Sequence, residues 1–126
     1  MMQRKRPVKN LDLFTIRLPI NAVVSIMHRA AGIVLFLLLP LMLIAFQQSL
    51  ASEASYLALQ QLFSHWLIKL FFIASSWAFF HHFYAGIRHF LQDVHWMSSL
   101  EKARLTGRVV LVLVGLSILL FAWSIF

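Results

Sequence analysis

Residues 70–90 read LFFIASSWAFFHHFYAGIRHF. The first eleven are apolar apart from two serines. As a helix they cover only roughly 16 Å, about half of a ~30 Å hydrocarbon core. A membrane span is completed here only by taking in Ile68 and Lys69 at one end and His81 to Ile87 at the other. Lys69 can snorkel to the nearer interface, but His81 and His82 cannot reach so far. The stretch therefore predicts a transmembrane helix that carries histidine into the membrane.

The rest of the chain agrees with that class. Of 126 residues, 61% are hydrophobic and 12% charged, where ordinary globular domains carry about 25% charge. The mean hydropathy is +0.82. An all-α membrane protein with three spans is expected, organised as one membrane-anchor domain. Its predicted parts are an N-terminal segment over residues 1–20 and spans over 21–48, 62–90 and 106–126. The first apolar run, residues 30–46, is slightly short and borrows residues 22–27, so His28 and Arg29 enter the membrane edge. Pro40 falls inside it, where a kink is expected. Residues 109–126 carry no charge.

The formal net charge is +7, and its distribution predicts the topology. Arg4, Lys5, Arg6, Lys9 and Arg17 precede the first span. Arg88, Lys102, Arg104 and Arg108 flank the loop between the second and third. The intervening loop, residues 47–61, has Glu53 and no Lys or Arg. The positive-inside rule then puts the N-terminus in the cytoplasm and the C-terminus in the periplasm. Membrane lipid is the expected partner of the basic residues, not nucleic acid. No cysteine is present, so this chain ligates no Fe–S cluster through thiolates. Neither a removable signal peptide nor a transit peptide is expected from the basic opening. Residues 10–19, NLDLFTIRLP, read as a partly apolar segment on the inner surface.

This topology gathers polar residues at one side of the membrane. Ser25, His28 and Arg29 share one face of the first span at i, i+3 and i+4. His82, Gly86 and His89 share one face of the second at i, i+4 and i+7. His81 points about 100° away from His82. Gly86 removes bulk where a flat group or another helix could approach. A histidine in lipid can bond another helix, ligate a metal or haem, or relay protons, and these readings stay open at this point. A deep imidazole with shallower basic groups suits a haem standing upright, its propionates held by the cations.

Two stretches resemble the succinate dehydrogenase cytochrome b family, the larger haem-bearing membrane anchor of respiratory complex II, in its bacterial form. They are RPVKNLDLFTIRLPINAVVSIMHRAAGIV (residues 6–34) and HFYAGIRHFLQD (residues 82–93). The matching positions are Arg6-Pro7, then Ser25, Ile26, His28, Arg29 and Gly32, then His82, Gly86, Arg88, His89 and Asp93. Lys9 is an extra residue in the opening motif, and His81 is a second histidine before the matched one. The resemblance implies that His82 is an axial ligand of a b-type haem iron. The other axial histidine would come from a small membrane-anchor subunit. It implies that His28 and Arg29 hold the haem propionates, and that Ser25 and Arg29 line a ubiquinone site. Further implied partners are an iron–sulfur subunit and a flavoprotein subunit, with flavin and Fe–S clusters on those chains. Asp93 is a candidate for proton supply, while His89 receives no firm role. The expected location is the bacterial inner membrane. The expected function is anchoring and quinone-site completion in electron transport and the tricarboxylic acid cycle, with no catalysis by this chain alone. A quinol:fumarate reductase anchor is the related alternative, and a small structural or proton-pathway membrane protein without haem is the unrelated one.

Overall fold

The computed structural model describes residues 18–97 and 99–126. The N-terminal basic residues and most of the expected surface segment at 10–19 lie outside them. The described residues form four helices and no strand: α1 (Ile20–Ala51), α2 (Glu53–Ser64), α3 (Trp66–Asp93) and α4 (Leu100–Ile125). Three of these, α1, α3 and α4, are long and apolar enough to cross a membrane.

Each boundary has a local cause. Extended Pro19 precedes α1. The helix continues through Pro40 for 32 residues, so at 1.5 Å per residue it runs about 48 Å, well beyond a hydrocarbon core. Ser52 then leaves helical space and caps α2. Its hydroxyl accepts from the Ser55 N–H, and the Ser55 hydroxyl accepts from the Ser52 N–H, a reciprocal capping box. The Ser55 hydroxyl also donates to the Gln48 carbonyl at 2.7 Å, holding α2 against the end of α1. The segment read as a loop from the sequence is therefore the last turn of α1 followed by α2. His65 breaks the chain again, accepting from the Leu67 N–H to start α3.

At its other end α3 closes with the Trp96 N–H donating to Leu91 O and the His95 N–H to Gln92 O. This is a Schellman pattern. His95 occupies the left-handed position, φ 61°, that glycine normally takes. Ser99 caps α4 by accepting from the Lys102 N–H.

The helices pack as an antiparallel bundle with α3 between α1 and α4. Val24, Ala85, Val110 and Val114 form its core, flanked by Trp77, Phe80 and Tyr84 of α3. Ala31, Ala78, Ala103 and Gly107 are also buried, and such small residues let membrane helices approach closely. Large apolar side chains cover much of the outward surface, as lipid or a neighbouring subunit requires, with Glu101, Lys102, Arg104 and Arg108 exposed at the start of α4. An apolar groove of about 800 Å³ opens between α1, α2 and α3, lined by Leu38, Met42, Phe63 and Phe79 among others and by none of the histidines. At that end Lys69 sits 5.1 Å over the Phe126 ring, joining the start of α3 to the end of α4.

Candidate functional site

The antiparallel pairing of α1 and α3 brings His28, His82 and His89 into one cluster. The His28 and His82 rings stack in parallel, 4.2 Å apart at 8°. His89 lies 5.0 Å from His28, tilted by 57°. Gly32 makes room for the cluster. A Cβ at Gly32 would stand 3.1 Å from His82 Cε1, closer than ordinary contact, so the glycine leaves room for the ring. Gly86 faces His28 Nε2, where a Cβ would meet it at 3.5 Å. Ser25 is half-buried and Arg29 exposed, one helical turn apart on α1. Asp93 is exposed as the last residue of α3.

Two neighbouring histidines of α3 each bond a carbonyl of α1. His82 Nδ1 is 3.2 Å from His28 O, and His81 Nε2 is 3.2 Å from Val24 O. A carbonyl only accepts, so each of these nitrogens carries the proton. In a neutral imidazole the other nitrogen is then bare. The two adjacent rings are thereby fixed in opposite tautomers: His82 with Nε2 bare, His81 with Nδ1 bare. His81 is 0% exposed, and its Nδ1 is enclosed without a partner. Leaving such an acceptor unpaired costs about 1–3 kcal/mol. His82 is only half-buried.

Arg88 does not join the histidines. It is 4% exposed and points into the bundle. Its Nε donates to Thr106 Oγ1 at 3.2 Å. One terminal nitrogen donates to Asn21 Oδ1 at 3.1 Å and to the Ala103 carbonyl at 3.2 Å. One guanidinium thus ties α3 to both α1 and α4. Helical phase gives the reason: Arg88 lies six positions from His82, roughly 240° around the helix. The sequence reading gave Arg88 as a charge beside the inner loop and a motif position, and its side chain is directed to helix packing.

The sequence reading passed over Asn21, Thr106 and the bond made by His81. A usable signal existed for the first two, since both are polar residues at span ends facing the same side as Arg88. Gly32 was noted as a motif position, but its contact with His82 is visible only in the structure. No three His, Asp or Glu side chains among the described residues converge as a metal site. The histidine cluster is thus not a chelate for a free ion. Within it, the bond to the His28 carbonyl leaves Nε2 as the bare nitrogen of half-buried His82.

Residues 2–122 match the model of the succinate dehydrogenase/fumarate reductase transmembrane subunit family. The chain belongs to this family. Similar proteins include the succinate dehydrogenase cytochrome b556 subunit of Coxiella burnetii, 40% identical over 121 residues, covering 94% of this chain and 95% of that one. The subunit of the same name from Rickettsia felis is 33% identical over 110 residues, covering 86% and 83%. That of Paracoccus denitrificans is 28% identical over 106 residues, covering 79% and 82%. Membership agrees with the expected membrane-anchor class and with the three long apolar helices of the fold.

Proposed function

We infer that this chain is the cytochrome b membrane-anchor subunit of a bacterial succinate dehydrogenase, and that His82 Nε2 would hold the iron of a b-type haem shared with a second anchor subunit. The observation that carries this reading is the bond from His82 Nδ1–H to His28 O. Iron-binding histidines commonly donate their second ring nitrogen to a carbonyl, which fixes the tautomer and orients the ring. His82 has that arrangement, which leaves Nε2 bare on a half-buried ring. His81 is unsuited, because Val24 O takes its Nε2 and its Nδ1 is enclosed. Arg88 is engaged inside the bundle, and the family resemblance gives the propionates to His28 and exposed Arg29.

A haem held there would supply one-electron chemistry. The remaining work falls to side chains of this chain. The Ser25 hydroxyl would donate to a carbonyl of ubiquinone. Arg29, one turn on, would hold positive potential where negative charge gathers on that oxygen as electrons arrive. Reduction to quinol also consumes two protons, and Asp93, exposed at the end of α3, would carry them from the cytoplasmic surface. Succinate oxidation itself would occur on a flavoprotein subunit, with an iron–sulfur subunit conducting electrons to this anchor. The names of the relatives favour this direction over fumarate reduction.

The test is the reduced-minus-oxidised spectrum of the complex purified through this chain. Sharp b-type bands, lost in His82→Ala and kept in His81→Phe, are expected, together with a co-purifying flavoprotein. A haem-free wild-type complex rejects the reading. For Asp93, slower quinone reduction in Asp93→Asn is expected, and an unchanged rate and pH profile removes it from the proton path.

A further inference from the structure

Histidine at position 81 is not explained by volume. It is the largest fully buried side chain of the bundle, stacked against Trp77 at 5.6 Å, and Phe or Leu could fill that space with no nitrogen to leave unpartnered. Nor does α1 need the bond. Within a helix the Val24 carbonyl already accepts from the His28 N–H, so its backbone is satisfied without His81. What the His81 bond adds is a tie between helices.

With His82 it makes a pair of histidine ties, alongside the Arg88 bond to Asn21 farther along the same two helices. His81 and His82 are consecutive on α3, and the carbonyls they hold, Val24 O and His28 O, lie about one turn apart on α1. The turn between them carries Ser25 and His28, and Arg29 follows directly. The Arg88 bond to Asn21 holds the two helices near one end, and the two histidine bonds, a turn apart, fix the depth and rotation of the Val24–His28 turn itself. The His82 attachment belongs to the site itself. The His81 attachment is enclosed in the core and touches no ligand.

We propose that His81 is a positioning residue for quinone reduction, holding the Val24–His28 turn of α1 so that Ser25 and Arg29 stand at the depth and angle the quinone carbonyl requires. This rests on the reading of Ser25 as a quinone contact. It distinguishes the two adjacent histidines by role: His82 presents a nitrogen to a ligand, and His81 sets the height of the opposing helix.

The experiment uses the complete purified complex, a short-chain ubiquinone, and an artificial dye that takes electrons ahead of the quinone. His81→Phe keeps aromatic volume and removes the donor. His81→Gln keeps a donor near the position of Nε2. In His81→Phe the KM for ubiquinone is expected to rise by roughly fivefold, as loss of one ordinary hydrogen bond would allow. Its kcat, haem content and dye reduction are expected to match wild type, and His81→Gln is expected to restore KM to within about twofold. An unchanged KM in His81→Phe overturns the proposal, as does a His81→Gln complex no better than His81→Phe. Should His81→Phe fail to assemble, His81→Met supplies donor-free volume in the same comparison. Ser25→Ala separates the two ideas. If it leaves KM unchanged, the quinone-site reading fails; if it raises KM while His81→Phe does not, only the positioning role fails.

Discussion

Two faces of α3 run side by side, one residue out of step, and they have opposite fates. His81, Ala85 and Arg88 stand at i, i+4 and i+7, and all three are buried. His82, Gly86 and His89 repeat that spacing one position later and remain half-open. Each face contains a histidine, a small residue and a basic residue. On the first, every polar group turns inward to α1 or α4: His81 to Val24 O, Arg88 to Asn21, Thr106 and Ala103. On the second, the rings of His82 and His89 gather around His28, and the His82 bond to the His28 carbonyl leaves its Nε2 bare. Residue type did not separate them. The direction in which each side chain leaves the helix did, because one direction enters the interior between α1 and α4 and the other meets the half-open edge of α1, where Gly32 leaves room for a ring.

The comparison can be broken most forcefully at Arg88. Arg88→Leu removes three donated bonds at the junction of α1, α3 and α4. Bonds from a charged donor contribute about 1.5–3 kcal/mol each, and since they are not additive a total loss of roughly 3 kcal/mol is expected. Thermal unfolding of the purified complex reads it, and haem bands at low temperature are expected to persist. Arg88→Lys is not expected to rescue, because a single ammonium cannot replace the planar fork. If Arg88→Leu were as stable as wild type but lacked haem, the assignment of the two faces would be reversed.

Gly32→Ala comes next. The added methyl would stand 3.1 Å from His82 Cε1, so the ring must shift by a few tenths of an ångström. Overpacking of this kind costs about 1–3 kcal/mol. The expected readout is a displaced or weakened b-type spectrum with subunit assembly retained. Tyr84→Phe should matter less. It removes one interhelical bond, Tyr84 to Ser117 at 2.9 Å, of a kind that averages about 0.6 kcal/mol in membrane bundles. Ser117→Ala should match it, and the double variant should add almost nothing further. The smallest effect is expected at Gly86→Ala, where a Cβ would make only ordinary contact with His28 Nε2. Its thermal midpoint should stay near wild type, so a loss as large as that of Gly32→Ala would show that both glycines are equally tight.

Much of this architecture was legible in advance. The three spans follow from the apolar runs, and their extension into His81 and His82 follows from the length a bilayer demands. Separating His82, Gly86 and His89 from His81 needed only the 100° step of a helix. The short helix α2 was missed because its start depends on Ser52 and Ser55 exchanging hydrogen bonds, a signal weaker than the usual Ser-x-x-Glu cap. The destination of Arg88 was missed for a different reason. Two of its three acceptors are Asn21, 67 residues away, and a backbone carbonyl, which has no residue signature.

The sequence by itself determined the membrane class, the three long helices and which residues share a helical face, because bilayer thickness and helical period act on local runs of residues. Only the tertiary structure decided which of two adjacent histidines faces the core. It also decided which nitrogen of each carries the proton and where the buried arginine makes its bonds. Those outcomes depend on which carbonyls and side chains of α1 and α4 stand opposite α3, and helix docking sets that register, not the spacing along any one helix.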